Sequence, residues 1–213
     1  MKKYFRPAYI AALVMVACIS GLIYTSPTVP TLDWLKGQLP AEPPVPVRES
    51  LDYVVEVANQ NEHGLFKGYG VTVDYKGVEF ILTSRMLFTP TGEVTVNGMA
   101  ASVIAVNLTS DLVALQIDNS APNPPYLELL PVWRPESAAL TTHTQTLVRI
   151  ANSNLRVGWA ELDYAPIGSE GAPLFQDGDL TGLFLGFSER GTPIVATNDA
   201  LVKFARRILE IRL

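Results

Sequence analysis

The stretch "GSEGAPLF" (168–175) sets Glu170 among four small residues, Gly168, Ser169, Gly171 and Ala172, and is followed by "GDLTGLFLGF" (178–187), a β-rich segment. A carboxylate held in a run of small residues just before a strand reads either as a functional turn or as an accidental cluster. What surrounds it decides between the two.

From residue 51 onward the chain consists of short β-rich runs divided by turn residues. "LDYVVEV" (51–57) alternates apolar and polar, and "GYGVTVDYKGVEFILTS" (68–84) makes two strands about a Lys76-Gly77 turn. "EVTVNGMAASVIAVNL" (93–108) makes another pair about Asn97-Gly98, the dipeptide that a two-residue hairpin turn favours. "DLVALQI", "TLVRIA", "RVGWAELD", "LTGLFLGF" and "TPIVAT" continue the pattern. Many short strands at this spacing indicate an all-β sandwich or barrel. The C-terminal end changes period. In "TNDALVKFARRILEIRL", Leu201, Phe204, Ala205 and Ile208 share one helical face, with Lys203, Arg206 and Arg207 opposite and Thr197 or Asn198 placed to cap the start.

The N-terminus is of another kind. Lys2, Lys3 and Arg6 precede an uncharged stretch from Ala8 to Tyr24, which at 1.5 Å per residue reaches roughly 25 Å, close to the lower limit for a membrane-spanning helix. Residues 1–24 are therefore expected to be an uncleaved anchor. Its positive flank keeps to the cytoplasm, which puts the rest of the chain on the periplasmic or extracytoplasmic side of the inner membrane. A lipoprotein signal acylated at Cys18 and a cleaved signal peptide are the alternatives. Residues 25–50 hold six of the 16 prolines and read as a semi-rigid linker, which leaves 51–213 as the folded domain.

Charge and cysteine content narrow the function. Setting aside Lys2, Lys3 and Arg6 leaves 13 basic residues against 21 acidic ones, a net of −8. Phosphate recognition needs clustered cations, so nucleic acid is not an expected partner. Cys18 is the only cysteine and there are two histidines, so no zinc pattern is present, and neither a metal nor another cofactor is expected.

Three motifs, in order, carry a resemblance. "GYGVTVDYKGVEFILTSRMLF" (68–88), "TSDLVALQI" (109–117) and "GSEGAPLF" with "GDLTGLFLGF" resemble the trypsin-fold serine proteases of the HtrA/Deg type, and the tail "GTPIVATNDALVKFARRIL" (191–209) resembles the strand and helix that close that domain. The resemblance implies two packed six-stranded antiparallel β-barrels followed by a C-terminal helix, with the proline-rich stretch 121–135 joining the barrels. It also implies site positions. The catalytic histidine position falls on Met86, the aspartate on Asp111 and the nucleophile on Glu170, and Gly168, Ser169, Glu170, Gly171 and Ala172 take the place of the oxyanion loop.

These replacements set the expected chemistry. A serine nucleophile needs a base to take its proton and backbone N–H groups to hold the oxyanion. The thioether of Met86 exchanges no proton at neutral pH, and Glu170 puts negative charge where the oxyanion forms. The chain is therefore expected to be no enzyme: a membrane-anchored pseudoprotease that binds a peptide or protein partner, or regulates an active protease. The Glu170 carboxylate is expected to fold back onto the N–H groups of its own turn. Partner contacts are expected at Leu185, Gly186 and Phe187, where an extended segment pairs by strand addition. One alternative is an active trypsin-like hydrolase using Ser169, Ser84 or Thr83; another is a structural component of an envelope or viral assembly. His63 and His143 read as surface residues, and Trp133 and Trp159 as packing residues.

Overall fold

The computed structural model describes residues 50–88, 92–118, 124–131, 137–154 and 158–212, within one compact unit, Val45–Leu213. The expected membrane anchor and nearly all of the linker lie outside the described residues, as does Trp133. Among those described, no helix is long and apolar enough to cross a membrane.

Thirteen strands and one long helix account for most of the described residues. β1 (Val54–Asn61), β2 (Gly64–Tyr75), β3 (Val78–Ser84), β4 (Glu93–Val96), β5 (Met99–Asn107) and β6 (Leu112–Ile117) pair in the order β1-β4-β5-β6-β3-β2, and β1 pairs again with β2 to close a six-stranded barrel. A two-residue strand, β7 (Leu127–Glu128), runs parallel to β2 on its outside. The second barrel closes β10-β13-β12-β11-β8-β9 from β8 (Ser137–Thr141), β9 (Gln145–Asn154), β10 (Trp159–Leu162), β11 (Pro173–Gln176), β12 (Asp179–Phe187) and β13 (Pro193–Thr197). All pairings within the two barrels are antiparallel. This is the two-barrel architecture that the resemblance implied.

The hairpin turns follow from local chemistry. Lys76 and Gly77 (φ 55° and 82°) and Asn97 and Gly98 (φ 49° and 77°) all take positive φ, which matches the turn twist to that of the strands. Side chains fasten both: Asp74 Oδ1 accepts from Gly77 N at 2.7 Å, and Asn97 Oδ1 accepts from Glu56 N at 2.8 Å.

Three apolar clusters hold the domain. Val55, Val57, Ile81, Val96, Val113 and Leu115 fill the first barrel. Leu140, Val148, Leu162, Leu174, Phe184 and Val195 fill the second. The third lies outside both, where Val71, Val73, Phe80, Leu82 and Leu112 of one barrel meet Leu183 and Leu185 of the other and the helix α1 (Asn198–Arg212). It explains why "FIL" in β3 and "LVAL" in β6 are apolar without alternation. Phe80 and Leu82 point into the third cluster and Ile81 into the barrel, so both faces of the strand are buried.

The helix lies as its period predicts. Leu201, Phe204, Ala205 and Ile208 are buried, and Lys203, Arg206 and Arg207 are exposed. Thr197 Oγ1 is buried with no hydrogen-bond partner among the described residues. Asn198 instead sends its side-chain amide to the carbonyls of Leu130 and Leu180 at 3.0 and 2.8 Å, which pins the first helical residue to the strands beneath.

Candidate functional site

Met86 lies on a single 3₁₀ turn, Arg85–Leu87, that ends β3. Ser84 Oγ accepts from Met86 N at 3.1 Å and donates to the carbonyl of Leu185 on β12 at 2.5 Å. One buried hydroxyl thus caps the turn and ties it to the other barrel. The Met86 side chain projects from it with 54% exposure.

Glu170 comes from the second barrel, in the loop between β10 and β11. Its carbonyl accepts from Tyr69 N at 2.8 Å, Gly171 N donates to Phe184 O at 2.7 Å and Ala172 N to Ser169 O at 2.9 Å. The loop therefore lies against β2 on one side and β12 on the other. Gly171 makes the first approach possible. Its φ is +81°, and a Cβ there would collide with the carbonyl of Tyr69.

Met86 and Glu170 converge on Gly186 of β12. A Cβ on Gly186 would run into Met86 Sδ and would stand 3.6 Å from Glu170 Cγ. The thioether and the carboxylate stem thus flank one notch in the strand, opened by the missing side chain. Asp111 belongs to the same region but faces another partner. It sits at φ +52° immediately before β6, its carbonyl accepts from Arg85 N at 2.9 Å, and its carboxylate takes Arg85 Nε at 2.7 Å. Asp111 is therefore joined to the Met86 turn through Arg85, with its charge matched by the guanidinium.

One expectation about the loop is not met. The Glu170 carboxylate does not fold back: its stem runs toward Gly186, and the N–H groups of Gly168 and Glu170 have no acceptor among the described residues. Ala172 is buried in the core of the second barrel, so its methyl packs inward. The alternative nucleophiles are all engaged. Ser169 Oγ donates to Pro166 O, Thr83 Oγ1 to Tyr69 O and Ser84 Oγ to Leu185 O, and all three residues are buried.

Two hollows are lined by neighbours of these residues in the chain, Leu185 in one and Gly168 in the other. One of about 550 Å³ lies between the barrels, walled by Asp111 from the first and by Trp159, Leu185, Glu189, Arg190 and Ile194 from the second. A smaller one of about 380 Å³ is lined by Glu56, Lys67, Gly68, Tyr69 and Gly168. Trp159, expected to be a packing residue, is half-buried on the wall of the larger hollow. His143 is exposed as expected but not isolated: Nε2 lies 2.8 Å from Glu56 Oε1 and the ring stands edge-on to Tyr69 at 5.4 Å. His63 lies 3.5 Å from Glu62 on the surface. No signal in the sequence marked Trp159 or His143 for these places, since each depends on strands distant along the chain. Among the described residues there is no cluster of three or more potential metal ligands.

No family model matches the chain, and no curated protein does. Solved structures do. One is the serine endoprotease from Yersinia pestis, at TM-score 0.62 and 22% identity, covering 77% of this chain. The chain spans 65% of the length of that structure's chain. The likeness corrects one expectation. The expectation that the chain is no enzyme does not stand: the matched structure is that of a serine endoprotease, and the described geometry does not show inactivity. Two closed six-stranded barrels with a helix after the last strand, together with this likeness, give the chain a trypsin-like fold.

Proposed function

We propose that the chain is a trypsin-like protease homologue whose inter-barrel cleft engages an extended peptide or a strand of a protein partner. One observation carries this reading, the half-paired end of β12. On one side β12 pairs with β13 out to Phe187↔Pro193; on the other, its pairing with β11 stops at Leu183↔Pro173. The loop before β11 still pairs with Phe184, through Phe184 N to Ala172 O and Gly171 N to Phe184 O, and the Leu185 carbonyl is taken by Ser84 Oγ. Gly186 and Phe187, next to Leu185 on the wall of the larger hollow, are therefore the edge left for a strand to join through backbone hydrogen bonds. Phe187 stands edge-on to Phe184 at 5.4 Å, which holds its ring in place as a contact surface.

In this reading Met86, Asp111 and Glu170 occupy the catalytic positions of the fold, and residues 168–172 the oxyanion loop. They supply a thioether, a guanidinium-paired carboxylate and a second carboxylate, so no serine–histidine pair stands at residues 170 and 86. Residues 1–24 anchor the domain on the outer side of the cytoplasmic membrane, and an active protease is one partner such an edge suits.

The test is binding of a panel of fluorescein-labelled extended peptides, beginning with alternating Val/Thr sequences, to the full-length chain by anisotropy. Hydrolysis is followed by mass spectrometry in the same incubations. Binding that weakens about tenfold in Phe187→Ala with unchanged circular dichroism supports the edge, since a well-buried contact is worth roughly 1–3 kcal/mol. Binding that is indifferent to residue 187 removes it.

A further inference from the structure

Of the two methionines among the described residues, Met99 is half-buried at the start of β5, whereas Met86 is largely exposed at the notch of Gly186. We propose that Met86 is a site of reversible oxidation to the sulfoxide by peroxide, and that oxidation closes the free end of β12 to an extended segment. The second half rests on the peptide-binding reading above.

The chemistry is self-contained. A lone pair on Sδ attacks one oxygen of hydrogen peroxide, an S–O bond forms and the O–O bond breaks. Sulfur gives up two electrons, the peroxide is reduced, and the displaced hydroxide takes the proton of the transferred oxygen and leaves as water. A thiol-dependent sulfoxide reductase reverses the change.

The position gives the modification its consequence. Reduced, the soft apolar sulfur sits where a Cβ on residue 186 would be, and the strand is flush beneath it. The turn cannot yield, because Met86 N is held by Ser84 Oγ, and Ser84 is held by Leu185. A sulfoxide oxygen is partly negative and needs both space and a donor. On one side it meets the β12 backbone and on the other the stem of Glu170, whose carboxylate repels it. The neighbouring cation does not compensate, since Arg85 is engaged by Asp111. The oxidised side chain therefore swings out over Gly186 and Phe187, the edge an incoming strand has to pair with.

The test uses isotope-labelled full-length protein treated with stoichiometric hydrogen peroxide. Peptide mass spectrometry locates the added oxygen, amide NMR follows Gly186, and anisotropy measures the Val/Thr peptide. The expected result is oxygen on Met86 ahead of Met99, a displaced Gly186 amide and a Kd raised about fivefold or more. Sulfoxide reductase restores all three readouts. Met86→Leu is expected to be insensitive to peroxide, and Met86→Gln, a polar side chain of similar length, to bind weakly without it. Oxidation of Met99 first, an unmoved Gly186 amide once Met86 is oxidised, or equal affinity in both states overturns the proposal. If the reduced protein binds no peptide, the proposed function fails instead, and the Gly186 amide alone decides whether oxidation reshapes the notch.

Discussion

Ser84 Oγ donates to the carbonyl of Leu185 across the boundary between the barrels, at 2.5 Å and with both residues buried. The same oxygen accepts the N–H of Met86. One hydroxyl therefore fixes the distance between the turn that carries Met86 and the strand that carries Gly186.

Ser84→Ala leaves the Leu185 carbonyl and the Met86 N–H without this partner. The expected cost is about 1–3 kcal/mol, the range for unsatisfied buried polar groups, read by urea denaturation. Peptide binding should weaken as well, because the two sides of the notch are no longer linked. A stability change below the error of the denaturation curve would show that the bond is incidental.

Gly186→Ala introduces two faults at once. The residue sits at φ +137°, a conformation L side chains rarely adopt, and its Cβ would meet Met86 Sδ. The strained φ is of order 1–3 kcal/mol, and the collision costs less, because the exposed and flexible Met86 thioether can move aside. The double variant Gly186→Ala with Met86→Ala removes the collision and keeps the strained φ, so it should recover part of the loss. A double-mutant cycle with no coupling energy would contradict the contact.

Adjacent positions 171 and 172 should both lose stability on opposite changes, but to very different extents. Gly171→Ala meets the Tyr69 carbonyl at positive φ and is expected to destabilise severely, by more than about 3 kcal/mol. Ala172→Gly removes a methyl from the second barrel's core and should cost about 1 kcal/mol. Thermal melts of the two variants check the contrast.

A fluorophosphonate probe incubated with the protein is expected to leave Ser169, Ser84 and Thr83 unmodified. Each hydroxyl is spent on a carbonyl inside the domain, and no histidine lies within hydrogen-bond reach of any of them among the described residues. Labelling at Ser169, mapped by mass spectrometry, would restore that residue as an attacking group. Labelling elsewhere would identify a group the motifs did not mark.

Local interactions left clear marks in the sequence. Asn97-Gly98 and Lys76-Gly77 are turns because two positive φ angles are needed in a row, and that demand falls on the two residues themselves. The buried stripe of α1 is likewise a matter of spacing within fifteen residues. Strands were harder to read. β8 and β11 are five and four residues long, too short to establish a period, and β11 begins directly after the small residues of 168–172.

What tertiary structure alone decided concerns pairs far apart along the chain. The third apolar cluster exists only once the barrels pack, which is why β3 and β6 carry apolar residues on both faces. The direction of Glu170 was set by the space at Gly186, and the company of Asp111 by Arg85, 26 residues earlier. Side-chain identity fixes which groups are present, whereas their bonding depends on which backbones approach closely enough to compete for them.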